Sequence, residues 1–124
     1  MNSSEQDSPE AVLAFWFEPG QERRWFEASE ATDRLVAQRF LPLWKKACDG
    51  RLDDWANHPR SRLALVILLD QFSRNLNRDS PAAFECDARA QRLALGAEAS
   101  GHAAELRPIE RAFVFMPLMH SEDA

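Results

Sequence analysis

A carboxylate, two guanidiniums and two amides follow one another in LLDQFSRNLNR, residues 68–78. Asp70, Gln71, Arg74, Asn75 and Arg78 come directly behind an unbroken apolar run, LALVILL (Leu63 to Leu69). Guanidinium suits planar, bidentate recognition of carboxylate or phosphate. Asp70 and Arg74 lie four residues apart with the acid N-terminal, the favoured orientation for a pair along a helix. With Arg78 one turn later, two cations face one carboxylate, an excess of positive charge suited to an anion. A second set lies near the end of the sequence: His120, Ser121, Glu122 and Asp123. Histidine beside carboxylates can move protons or hold metal. One histidine with acids one to three residues away is too sparse for a structural metal site, so neither metal nor cofactor is expected. Ser121 is a poor nucleophile for His120, because adjacent residues on a helix do not face each other. His120 and Glu122 are the candidate acid–base residues; the competing reading has them merely finish a helix.

These groups need elements to aim them, and helical signals dominate. Ser8-Pro9 reads as an N-cap with proline at the first helical position, and EPG (Glu18 to Gly20) as a stop. Between them AVLAFWF is apolar nearly all round, which predicts a short buried helix. From about Ser29 to Cys48, Leu35, Val36, Phe40, Leu43, Trp44 and Ala47 recur at three- and four-residue spacings, with Asp49-Gly50 as terminator. Pro42 inside that segment predicts a kink or break. LDDWANHP (Leu52 to Pro59) reads as a connector with Trp55 tucked against the core.

A long helix is predicted from about Pro59 to Leu76. At about 100° per residue, Leu65, Leu68, Leu69, Phe72 and Leu76 make one face. The opposite stripe runs Leu63, Val66, Ile67, then Asp70, Ser73, Arg74, Asn77 and Arg78. It turns from apolar to ionic without changing direction, which puts Asp70 and Arg74 at the edge of the core, where burial demands pairing. NRDSP then ends one helix and starts another, with Ser80 capping and Pro81 at the first position. That helix is expected to bury Phe84, Ala88, the stem of Gln91 or Arg92, Leu95 and Ala99 and to close at Gly101. Its small residues Ala83, Ala88, Ala90 and Ala94 permit close helix approach. A last helix begins at Pro108 and meets Pro117. No segment alternates with period two, so the fold is read as all-α, about five or six helices packed as antiparallel pairs. A repeat of about 34 residues leaves only a loose trace.

At 124 residues, 45% hydrophobic and 28% charged, the chain is read as one soluble domain spanning 1–124, with 1–7 flexible. A net charge of -5 with scattered Lys and Arg argues against nucleic acid. No apolar stretch approaches the roughly 20 residues that span a bilayer, and the acidic N-terminus is no secretory signal. Cys48 and Cys86 have neither metal-ligand nor CxxC spacing and read as two reduced, packed thiols in a cytoplasmic protein. His58 and His102 read as loop or surface residues.

The motifs LALVILLDQFSRNLNRDSPAAFECDARA, WFE, FLPL, GRLDDWANHPRSR and RAFVFMPLMHSED together resemble a bacterial family of unknown function, DUF924. The resemblance covers about Leu13 to Asp123 and implies a tetratricopeptide-repeat-like helical arrangement. It implies no established activity. The family's distinctive residues fall here on Asp70, Gln71, Phe72, Arg74, Asn75, Arg78, Asp87, His120, Ser121 and Glu122. Three positions depart from its pattern: Ser73 replaces a usual proline, Asn77 an aromatic, and Phe115 a tyrosine. Family members typically continue past HSED. On that resemblance further C-terminal helices are missing here, and an apolar face left uncovered would be buried by self-association.

The combined expectation is a polar pocket where the Asp70–Arg78 stripe meets the His120–Asp123 tail. It would bind a small anionic molecule or a carboxylate-bearing peptide through Asp70, Gln71, Arg74, Asn75, Arg78, His120 and Ser121. A hydrolase-like enzyme using His120 as acid or base, oriented by Glu122 or Asp70, is one alternative. An interaction scaffold whose polar cluster is structural is the other.

Overall fold

The computed structural model describes residues 7–120. The expected flexibility of the N-terminal segment falls largely on 1–6, and the roles given to Ser121, Glu122 and Asp123 fall on 121–124, all outside the described residues. The chain is all-α, with six helices and no strand among the described residues. Helix α1 is Pro9–Trp16, α2 Arg23–Phe26, α3 Glu30–Cys48, α4 runs over 59–76, α5 is Asp87–Ser100 and α6 Pro108–His120. Short 3-10 turns at Asp53–Asn57, Pro81–Phe84 and His102–Glu105 connect them. Among the described residues no helix is long and apolar enough to cross a membrane.

Local chemistry explains most boundaries. Ser8 Oγ accepts the Ala11 amide and Ser29 Oγ the Thr32 amide, each satisfying an orphan N–H of a first turn. Gly101 closes α5 at φ 84, a left-handed turn open to glycine. Ser80 does cap, but what it caps is the 3-10 turn Pro81–Phe84, and α5 starts only at Asp87. Pro42 neither breaks nor ends α3, which runs through it. Pro42 and Gln38 are both exposed, so the carbonyl deprived of its helical partner lies on the wet side of the helix.

Helix α4 is the hub against which α1, α3, α5 and α6 all pack. Residues 63–70 are buried all round, both predicted faces at once. The helix is also not uniform. An α-helical part, Pro59–Val66, passes into a π-helical turn, Ile67–Phe72, and back to α at Ser73–Leu76. A π turn holds one residue more than an α turn, so side chains beyond it are rotated from where a constant 100° step puts them. Ser73 accordingly points inward and accepts the Trp44 indole N–H at 2.9 Å, while Gln71 and Asn75 join Arg74 and Arg78 on an outer face.

Below the polar stripe the packing is aromatic. Phe72, fully buried, meets Phe15, Trp16 and Phe40 at ring-centroid distances of 6.0, 5.9 and 5.2 Å. Trp16 passes the contact to Phe113 of α6 at 5.6 Å. Helix α5 departs from expectation: Phe84, Ala88, Leu95 and Ala99 face outward, and Ala90, Ala94 and Ala97 are buried. The small residues form the seam because α5 lies close on its neighbours, close enough that a Cβ on Gly96 would sit 2.6 Å from the Arg62 guanidinium. Arg62 spans that seam, donating to Leu93 O, Ala56 O and His102 Nδ1, so His102 is a bonded and partly buried histidine.

Glu110 fixes where α6 begins. Its carboxylate, 2% exposed, accepts the Arg107 amide at 2.9 Å, the Arg107 guanidinium, and Arg60 of α4 at 3.2 Å. Burial pushes the Glu110 carboxyl up, yet the Arg107 amide and the two guanidiniums together hold it below the ordinary carboxylate value. Its stabilisation is therefore complete above the unfolded carboxylate pKa of about 4.3 and is lost as pH falls through the lower folded value. Glu110→Gln should cost about 1–3 kcal/mol at pH 7. Urea unfolding should show that gap constant down to about pH 5 and closing below about pH 4.3. Phe72→Ala should cost about 3–5 kcal/mol in the same assay, the range for emptying a buried aromatic site.

Candidate functional site

Asp70 is 1% exposed, at the centre of the π turn. Its Oδ1 accepts Arg74 Nη1 at 2.8 Å and contacts His120 Nδ1 at 2.9 Å, while Oδ2 accepts Gln71 Nε2 at 3.0 Å. A buried carboxylate with three partners is a satisfied one. Arg74 has a second acid as well: it lays Nη1 and Nη2 on the two oxygens of Asp87, each at 3.2 Å. Its guanidinium stands 5.2 Å from the Phe84 ring centre.

Arg78 does not add a second fork to Asp70. Its Nε and Nη2 both reach Asp33, on the first turn of α3, at 2.8 Å. Asn75 Nδ2 donates to the same carboxylate at 2.8 Å. The bond from Arg78 holds the Asp33 carboxyl below its usual value against the opposing effect of burial, with Asn75 helping. Each arginine of the stripe thus has its own carboxylate, and the expected excess of positive charge at one acid is replaced by separate pairs. The cause is topological: α3 and α5 bring Asp33 and Asp87 from distant sequence to the two sides of α4.

The outer face of this network forms one wall of a cleft of about 170 Å³. Gln71, Arg74, Asn75 and Arg78 line that wall. The other wall is Trp16 of α1 with Arg24, Trp25, Phe26, Glu27 and Ala28 of α2 and the turn behind it. Neither Asp70 nor His120 lines the cleft; His120 instead braces Asp70 from α6. The structure therefore brings His120 and Arg74 onto one carboxylate but puts only Arg74 at the surface of the hollow. Of the seven residues named from sequence for ligand contact, four share this wall, two stand behind it, and Ser121 lies outside the described residues.

The α2 wall escaped sequence reading. Four residues, RRWF, form too short an element to show periodicity, though an arginine pair against an aromatic pair just past a helix stop was a usable signal. Arg24 is fixed by Phe15 O at 2.7 Å and Glu18 at 2.8 Å, with its guanidinium 4.1 Å from the Phe15 ring centre. Trp25 Nε1 donates to Trp16 O at 2.8 Å. The Trp16 indole N–H is buried and has no hydrogen-bond partner among the described residues.

Chemically, the cleft offers guanidinium and amide donors on one side and, on the other, aromatic surface flanked by the Arg24 guanidinium and the Glu27 carboxylate. The carboxylates that orient the donors, Asp70, Asp87, Asp33 and Glu18, are not among its lining residues. The Asp70–His120 contact has a form in which a buried acid sets imidazole tautomer and orientation. No hydroxyl or thiol is hydrogen-bonded to His120 among the described residues. No group of three or more His, Cys, Asp and Glu side chains there could hold a metal ion.

A family model for bacterial proteins of unknown function, DUF924, matches residues 12–124. A solved structure of a protein of unknown function, ATU0120 from Agrobacterium tumefaciens, is 31% identical with a TM-score of 0.85 over 90% of this chain. The chain spans 63% of that structure's length. No curated protein matches. With a match that begins in the helix carrying Trp16 and runs through the Asp70 network, the chain belongs to the DUF924 family.

Proposed function

We propose that this chain is a cytoplasmic, single-domain binding protein whose cleft between α2 and the end of α4 takes a small anion with a planar apolar part. The observation that carries the reading is the layering of the site: three arginines and two amides line the hollow with their paired carboxylates behind them, against one lining carboxylate, Glu27, on the opposite wall. Donors held by acids behind them are pre-organised, so little side-chain freedom is lost when an anion is gripped. Arg74, Arg78, Gln71 and Asn75 meet the carboxylate or phosphate, and Trp25 and Phe26 meet the flat portion. Asp70 and His120 hold Arg74 in position rather than touching the ligand. A peptide presenting its terminal carboxylate beside an aromatic side chain has the same chemistry. The volume suits a ligand smaller than a drug-sized one.

Thermal unfolding with benzoate, benzamide, inorganic phosphate and a peptide ending in free-carboxylate phenylalanine tests this. Benzoate or the peptide should raise the melting temperature, by an amount equivalent to about 2.7 kcal/mol at a hundredfold excess over Kd. Benzamide, flat but neutral, should not. Equal effects of benzoate and benzamide, or no effect of any of the four, would overturn the reading. Phe26, 81% exposed and lining the cleft, separates binding from folding. Phe26→Ala should leave unliganded stability within about 0.5 kcal/mol while weakening the ligand about tenfold.

A scaffold with a purely structural polar cluster is the second reading, favoured by every cleft arginine already having a carboxylate. The repeat-like helix arrangement belongs with it. Arg74→Ala and Arg78→Ala divide the two roles. Arg74→Ala strips the main cation from a buried acid and should cost about 3–5 kcal/mol. Arg78→Ala, whose pair with Asp33 is partly exposed, should cost about 1 kcal/mol or less. If Arg78→Ala leaves benzoate and peptide affinities unchanged, the cluster is structural.

A further inference from the structure

The end of α3 and the residue before α5 bring two thiols together. Cys48 Sγ and Cys86 Sγ lie 3.1 Å apart although they are 38 positions apart in sequence. Both are free and partly exposed. The meeting is held from both sides. Arg89 of α5 donates to Ala47 O and, at 3.2 Å, to Cys48 O, fixing the last turn of α3. Cys86 directly precedes Asp87, which is pinned by Arg74 of the hub helix.

We propose that Cys48 and Cys86 are a reversible oxidation site, forming a disulfide on reaction with a hydroperoxide. A disulfide needs its sulfurs at about 2.05 Å, so closure brings the two sulfurs about 1 Å nearer than they stand. Cys86 is the attacking group. The hydrogen-bond contact with Cys48, with Arg89 nearby, outweighs burial and lowers the Cys86 thiol to about 7. The same contact, with burial, pushes the Cys48 thiol up. Arg89 is the positive group facing the pair, and Asp49 and Glu85 are the negative ones.

The Cys86 thiolate attacks one peroxide oxygen, forming S–O and breaking O–O. The departing hydroxide takes a proton and leaves as water, and Cys86 becomes a sulfenic acid. Cys48 sulfur then attacks Cys86 sulfur and expels hydroxide, which leaves as a second water with the proton of the Cys48 thiol. Two thiols and one hydrogen peroxide give one disulfide and two waters: the sulfurs lose two electrons and the peroxide oxygens gain them. In a reducing compartment such a bridge is transient and sensing rather than structural. It closes a loop containing all of α4.

The test uses the whole reduced chain and a small excess of hydrogen peroxide. Expected are an intact mass lower by two hydrogens, a peptide map joining Cys48 to Cys86, and full reversal by dithiothreitol. Closing a loop of this length should raise the melting temperature by roughly 10 °C. Dimedone should label Cys86 in Cys48→Ser, and at least tenfold faster than it labels Cys48 in Cys86→Ser. The proposal is overturned if wild type gains oxygen without bridging, bridges between chains, or keeps both thiols. It also fails if Cys86→Ser reacts as fast as Cys48→Ser. The wild-type map decides the matter even if a serine variant does not fold.

Discussion

A carboxylate in a protein interior must have its charge met by donors, since isolated burial costs several kcal/mol. Asp70 meets that demand with partners from three directions: Gln71 beside it, Arg74 one turn on, and His120 from α6. Each partner is thereby given one orientation. Gln71 and Arg74 present their remaining donors to the cleft, and α6 is fixed against α4 at its C-terminal end. Glu110 fixes the same helix at its beginning through Arg60. Two buried acids, roughly a helix length apart, set the register of α6 along the hub.

The apolar core makes this possible by excluding water from one side of the ionic layer only. Phe72 and its aromatic contacts fill the interior of the same turn that carries Asp70, while Arg74 keeps about a quarter of its side chain exposed. Charges at such a boundary interact more strongly than on an open surface yet keep part of their hydration. Asp33 and Asp87, from α3 and α5, then clamp the arginines from either side. The polar network is thus where four helices are brought into agreement, and the hollow is its outer surface.

Much of this was legible in the sequence. Caps at Ser8 and Gly101, the segment start near Ser29, the proline-led starts at Pro9 and Pro59, and the buried spacing of Val36, Phe40, Leu43 and Ala47 are local signals with local causes. The Asp70–Arg74 pair is local too. What distance along the chain conceals is partnership: nothing near Arg78 names Asp33, and an acid in the first turn of α3 reads only as complement to the helix dipole. Helix α5 misled for another reason. Its small residues Ala90 and Ala94 do announce the close seam, but its larger side chains suggest a buried face they do not make, because close approach to α4 favours the small ones.

The π turn at Ile67–Phe72 has a consequence for how this helix can vary. The extra residue is taken up inside the turn, so regularising the segment to ordinary α-helix at constant length would rotate everything after it by about 100°. Ser73 would leave Trp44, and Arg74 and Arg78 would swing away from Asp87 and Asp33 together. Losing one residue together with the turn would instead keep the later side chains in register, so the turn is where this helix absorbs an extra residue without moving Arg74 and Arg78.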